Sequence, residues 1–197
     1  MAEGNFAGRQ HVASNDVRRI LPVLTVLAFA LAACARAAPT DRSQPPSAQL
    51  TALQPGQRLP AVQLARLDGS GSLDTGSLTG PAVINFWASW CAFCVEEMPD
   101  FQAVHRRLGD DVRFVGVDRE DDHAKARMLA RETGVTYELV TDPDGSFFRA
   151  VQGRGMPTTL LVDPEGRIAY RHAGPLTADE LTELLHEHLD VPPRDAA

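Results

Sequence analysis

The feature that most constrains this chain is the segment Asn85 to Pro99, NFWASWCAFCVEEMP, in which Cys91 and Cys94 stand two residues apart where a strand hands over to a helix. The run before it, AVINFW (Ala82 to Trp87), is almost continuously apolar and reads as a buried central strand. At the start of the following helix the Cys91 sulfur sits near first-turn amide hydrogens that have no intrahelical partner. Their partial positive charge favours the thiolate over the thiol. Cys94, one turn further in, is placed to resolve a mixed disulfide within the chain. The pair therefore reads as an exchange centre with Cys91 as the attacking sulfur.

Two blander uses of such a pair fit less well. Zinc needs four ligands, and a Cys-x-x-Cys knuckle is normally matched by a second Cys or His pair. Here His105, His123 and His172 are far apart in sequence, and His186 and His188, two apart on a helix, point away from each other. A purely structural bridge across so short a loop restrains the unfolded chain little. Haem attachment is disfavoured because Val95, not histidine, follows Cys94. No metal and no cofactor is expected. A net charge of −7 without a long Arg/Lys cluster argues against a nucleic-acid partner.

The third cysteine, Cys34, belongs to a different signal. Arg18 and Arg19 precede ILPVLTVLAFALAAC, an apolar run ending in small residues directly before the cysteine. This is the layout of a secretory signal, and it is too short to span a bilayer comfortably. Leu31, Ala32, Ala33 and Cys34 resemble the lipobox of bacterial lipoproteins, in which the cysteine becomes the new N-terminus and carries a diacylglyceryl group; two or more acyl chains anchor stably. The long n-region, with Glu3 and Asp16, is less cleanly basic than usual. The expected organisation is a signal peptide at 1–33, a lipid-anchored tether rich in Pro, Ser, Thr, Ala and Gln at 34–54, one domain at 55–191 and a tail at 192–197. Export places the remaining cysteines where disulfides persist.

Within the domain the elements alternate. Val62 to Leu67 forms a short leading strand ending at Asp68-Gly69. After Ala82 to Trp87, a helix from about Phe93 to Leu108 sets Phe101, Val104, His105 and Leu108 on one face. Val112 to Val117 is the next strand, and Asp122 to Thr133 an amphipathic helix ended by Gly134. Thr159 to Val162 and Ile168 to Arg171 flank the hairpin turn Asp163-Pro164-Glu165-Gly166, and Ala178 to Leu189 is a closing helix with Thr177 as N-cap and Glu180 at the capping-box position. The pattern is α/β, a mixed sheet covered on both faces.

Trp90-Cys91-x-x-Cys94 with Gly155-Met156-Pro157-Thr158 resembles the thioredoxin superfamily, and within it the extracytoplasmic TlpA/ResA/DsbE-like thiol-disulfide oxidoreductases, over about Pro55 to Leu189. The resemblance implies a thioredoxin-like three-layer sandwich with a central mixed sheet flanked by helices. It also implies that Pro157 takes a cis bond beside the dithiol, where the Met156 backbone is free to pair with an extended client. On the residues alone, Met156-Pro157 reads equally as the start of a strand. Cytoplasmic thioredoxins carry a buried aspartate where this chain has Asn85, so another acid must serve. Glu97 matches the acid of ResA-like members; buried, it would exchange a proton with Cys94. The alternative for Glu97 is simply a favourable charge early in a helix. Glu96, about 100 degrees around, is expected in water.

Ala92-Phe93 departs from the family, many of whose members have proline before the second cysteine. A similar aromatic in some actinobacterial DsbE-like oxidases tilts the expectation slightly towards oxidation of exported proteins, with Trp90 and Phe93 as client contacts and Trp87 in the core. The alternative direction is a reductase supporting cytochrome c maturation, and a non-catalytic client-binding lipoprotein is the alternative of another class. A peroxidase is disfavoured, because the Pro-x-x-x-Thr/Ser-x-x-Cys frame of peroxiredoxins falls on Ile84 and Ala88. Expected partners are exported proteins with thiols or disulfides, a membrane redox partner that recharges the dithiol, and the lipid membrane through Cys34.

Overall fold

The structure is a computed structural model that describes residues 56–192. The expected signal peptide, Cys34, the expected tether and the tail beyond Pro192 lie outside these residues. Among the described residues no helix is long and apolar enough to cross a membrane.

Seven strands form one mixed sheet: β1 (Gln63–Arg66), β2 (Ser72–Asp74), β3 (Ala82–Trp87), β4 (Arg113–Arg119), β5 (Glu138–Asp142), β6 (Thr158–Val162) and β7 (Ile168–Ala173), in the order β2-β1-β5-β4-β3-β6-β7. β3, β4 and β5 run parallel, while β6 and β7 on one side and β1 and β2 on the other are antiparallel to their neighbours. Four helices cover it: α1 (Ala92–Leu108), α2 (His123–Thr133), α3 (Ser146–Ala150) and α4 (Ala178–Leu189). This is the expected thioredoxin-like sandwich.

Local chemistry explains most boundaries. Every residue of β3 is buried, as its unbroken apolar run requires. α2 starts where the Asp122 carboxylate accepts from the backbone N–H groups of Ala124 and Lys125, and stops at Gly134 in the left-handed region (φ 68°). α4 opens with the complete capping box of Thr177 and Glu180. α1 carries Pro99 inside it and ends in a turn containing Arg106 and Arg107, cations that suit the negative end of the helix.

Three elements go beyond the sequence reading. β2 has only three residues and gains its place by pairing with β1. β5 mixes Glu138, Thr141 and Asp142 with Leu139 and Val140, which hides its strand character. α3 is a helix of five residues whose second and third amides, those of Phe147 and Phe148, are held by the Asp142 carboxylate at 3.1 and 2.9 Å.

Alternation along the strands divides the interior. Ile84 and Phe86 of β3, with Val115 and Val117 of β4, join Phe147 and Phe148 of α3 in one cluster. Val83 and Phe114 face the other way, towards Phe101, Val104 and Leu108 of α1 and Leu181 and Leu185 of α4. Trp87, Met98 and Ala126 surround Cys91 and Cys94. The parallel register, from Ala82 opposite Arg113 to Trp87 opposite Asp118, brings the ends of β3 and β4 together. The segment leading into Cys91 therefore meets the segment leaving β4.

Candidate active site

Cys91 is the N-cap of α1, and its sulfur lies 3.3 Å from the Cys94 backbone N–H, which donates to it. The two cysteines are joined as a disulfide. Their accessibility differs: Cys91 is 7% exposed and Cys94 0%. A thiol arriving from solvent can reach only the first sulfur. The indole of Trp90 and the ring of Phe93 stand in solvent, 58% and 59% exposed, whereas Trp87 is fully buried.

The Met156–Pro157 peptide bond is cis. Met156 packs against the cluster that holds the dithiol, and its backbone N–H and carbonyl make no hydrogen bond among the described residues. The Pro157 carbonyl accepts from Gly174, and the Thr158 hydroxyl donates to the Gly155 carbonyl. Trp90, Phe93, Cys91, Cys94, Met156 and Pro157 are thus gathered at one end of the sheet.

Glu97 lies beneath this surface, buried one helical turn after Cys94. Asn85 donates to its Oε1 at 2.8 Å and the Leu176 backbone N–H to its Oε2 at 3.0 Å. Burial raises its pKa to about 7 against the pull of these two donors, and the charge of Asp100 adds to the rise. Asn85 itself is held by a further bond to the Thr159 hydroxyl. Glu96 is exposed, as expected.

Another set of residues at this end of the sheet was not read from the sequence. Asp121, just after β4, accepts from both the backbone N–H and the hydroxyl of Ser89, and the Glu120 carbonyl accepts from the Trp90 indole at 3.3 Å. Asp118, the buried β4 residue opposite Trp87, lies beside the Asp121 carboxylate. The available signal was an acidic residue breaking the apolar run FVGV at its end.

A buried, closed Cys-x-x-Cys at a helix start on a mixed sheet, facing a cis-proline loop, defines a thioredoxin-like thiol-disulfide oxidoreductase. The chain belongs to the Redoxin family, whose profile matches residues 54–185, and within it to the DsbE/TlpA/ResA-like group. It is 36% identical to the thiol:disulfide interchange protein HelX of Rhodobacter capsulatus over 141 residues, 70% of this chain and 78% of that one. It is 32% identical to the thiol:disulfide interchange protein DsbE of Escherichia coli over 161 residues, 80% of this chain and 85% of the relative. Among solved structures it resembles MTB dsbF, with a TM-score of 0.59 and 29% identity, covering 64% of this chain and 94% of the other.

Proposed function

We propose that this protein is an extracytoplasmic reductase that passes electrons from its Cys91/Cys94 dithiol to disulfides of exported proteins, apocytochrome c among them. The observation that carries the direction is the placement of Glu97. A strongly oxidising dithiol is one whose reduced form is stabilised. Here Cys94 is fully buried, an acid with a pKa of about 7 lies one turn away, and the opening residues of α1, Ala92 to Glu97, include no cation. A thiolate gains little stabilisation there from side chains, so the reduced pair gives up its electrons readily. The kinship with the thiol:disulfide interchange proteins DsbE and HelX supports exchange at this pair. The tilt towards oxidation rested on Phe93 alone, and an exposed ring between the cysteines serves client contact in either direction.

In the proposed cycle the Cys91 thiolate attacks a client disulfide, forming a mixed disulfide and releasing one client thiol. Glu97 accepts the Cys94 proton, directly or through water, and the Cys94 thiolate attacks the Cys91 sulfur. The second client thiol leaves, two electrons have passed to the client, and the protein holds the Cys91–Cys94 disulfide seen in the structure. Trp90 and Phe93 provide the apolar rim, and the Met156 backbone beside Pro157 pairs with the extended client segment. A membrane dithiol partner restores the reduced state. Lipidated Cys34 and the tether to residue 54 hold the domain near that partner.

The reduction potential of the full chain, equilibrated in defined thiol-disulfide buffers, tests the direction. A value near or below about −270 mV is expected, and a value above about −200 mV overturns the reductase in favour of the oxidase. Glu97→Gln is expected to slow resolution of the mixed disulfide at pH 7 by about 10²-fold. Labelling with radioactive palmitate, lost in Cys34→Ala, checks the anchor.

A further inference from the structure

The reactive sulfur is presented by a tight turn whose geometry is set from another strand. Cys91 donates its backbone N–H to the Ala88 carbonyl at 3.1 Å, closing the turn Ala88-Ser89-Trp90-Cys91. Both central residues of that turn are gripped by the segment after β4. Asp121 takes two hydrogen bonds from Ser89 through its two carboxylate oxygens, and Glu120 takes the Trp90 indole N–H. Asp121 also accepts the Asp122 backbone N–H at 2.7 Å, so three donors converge on it. Glu120 adopts a left-handed backbone (φ 49°), uncommon for a residue with a side chain, and its carboxylate pairs with Arg119. The grip therefore depends on where Asp121 is held.

Beneath Asp121 is Asp118. It is 3% exposed, its Oδ1 has no hydrogen-bond partner among the described residues, and its carboxyl lies beside that of Asp121. Two ionised carboxylates side by side in a buried site repel each other unless a proton lies between them. With three donors aimed at Asp121, the proton belongs on Asp118. We propose that Asp118 and Asp121 form a proton-sharing carboxyl pair that positions the Ala88–Cys91 turn, and with it the Cys91 sulfur, for exchange. Both are positioning residues, acting on the sulfur through Ser89. The inference rests on exchange at Cys91 and not on its direction.

The charged surroundings make Asp118 the sensitive member. β3 presents Trp87 to it, and β5 presents Thr141, followed by Asp142, whose carboxylate is taken up by α3. The connecting segment supplies Glu120, Asp121 and Asp122; the first turn of α2 supplies His123 and Lys125, which act on Asp122; α1 supplies the cysteine pair. Of these charges only Asp121 bears on Asp118, and together with burial it raises the Asp118 pKa to about 8. Below that value the pair carries one negative charge and holds the turn. Above it, two negative charges face each other beside the turn, Asp121 is repelled, and an incoming thiolate meets more negative potential.

The test uses the full chain with its disulfide closed. The rate at which dithiothreitol opens the disulfide is measured from about pH 6 to 9 and divided by the reagent's thiolate concentration. The same is done for Asp118→Asn, which keeps an N–H donor for Asp121 and cannot ionise; any contribution of Glu97 cancels in the ratio of the two profiles. The ratio of parent to variant is expected to fall by about three- to tenfold through about pH 8, with the emission of the two tryptophans shifting in the parent over the same interval. Asp118→Ala, lacking the donor, is expected to be slower at every pH, and Asp118→Asn to recover that loss. A ratio that stays flat, or a tryptophan shift that persists in Asp118→Asn, overturns the proposal. If Asp118→Ala fails to fold, the ratio and the tryptophan signal still decide. A reduction potential that contradicts the reductase leaves these readings untouched, and a flat ratio leaves the reductase untouched.

Discussion

On one face of the sheet β3 and β4 send Ile84, Phe86, Val115 and Val117 into an apolar cluster closed by Phe147 and Phe148; on the other they place Asn85, Trp87, Gly116 and Asp118 beneath α1 and α2. The same two strands therefore build both a conventional core and a core with unmet polar groups. Asn85 Oδ1, Trp87 Nε1, Asp118 Oδ1 and the Tyr137 hydroxyl are all buried without a partner among the described residues. The contrast is sharpest between two buried aspartates at strand ends. Asp142 receives the amides of Phe147 and Phe148 and starts a helix, whereas Asp118 has another carboxyl for its partner. The two carboxyls are equally buried, and what differs is the partner each one meets. One face holds the fold together, and the other spends part of that stability on groups poised to exchange protons.

The largest effect belongs to the chemical face. Cys91→Ala is expected to abolish insulin reduction, by more than about 10³-fold, with the circular dichroism of the fold preserved. On the apolar face Phe86→Ala removes the ring that packs against Phe147 at 5.4 Å and Phe148 at 5.1 Å between centroids. Urea unfolding should show a loss of about 3–5 kcal/mol while exchange per folded molecule is unchanged; a lost exchange rate would mean that the two faces are not separable. The pH dependence of stability comes third. Glu97 and Asp118 have folded pKa values raised to about 7 and about 8, so above the unfolded carboxylate range the folded chain holds protons that the unfolded chain has released. Stability is therefore highest at low pH as far as these groups are concerned, and urea midpoints should show it falling by several kcal/mol as pH rises towards about 8. Asp118→Asn should flatten the upper part of that fall. Smallest is Thr177→Ala, which breaks the α4 capping box and should cost about 1 kcal/mol in the same unfolding assay.

What was legible in the sequence follows from what local rules can carry. β3 announced itself by an apolar run, α2 and α4 by their caps, and the dithiol by its spacing, because each signal lies within a few residues. Glu97 was legible by helical spacing from Cys94, although the Leu176 amide that holds it comes from a segment far along the chain. α3 was not legible, since its second and third amides are satisfied by a side chain of the preceding strand and five residues show no period. The pairing of Asp121 with Ser89 was equally hidden. It exists only because β4 lies parallel to β3 in a register that brings their ends together. Read singly, Asp118 and Asp121 are two acids in an acidic chain.

Pro99 adds a mechanical consequence. Having no N–H, it leaves the Val95 carbonyl without its helical donor and interrupts the ladder of α1 just past the turn that bears Cys94 and Glu97. Beyond it, Phe101, Val104 and Leu108 lock the remainder of α1 against Leu181 and Leu185 of α4. Deuterium uptake should divide the helix at this residue, early through Met98 and late from Phe101 onward. The sulfur-bearing turns can then adjust to gain or loss of the disulfide as a small movable cap, while the longer part of the same helix serves as its fixed mount.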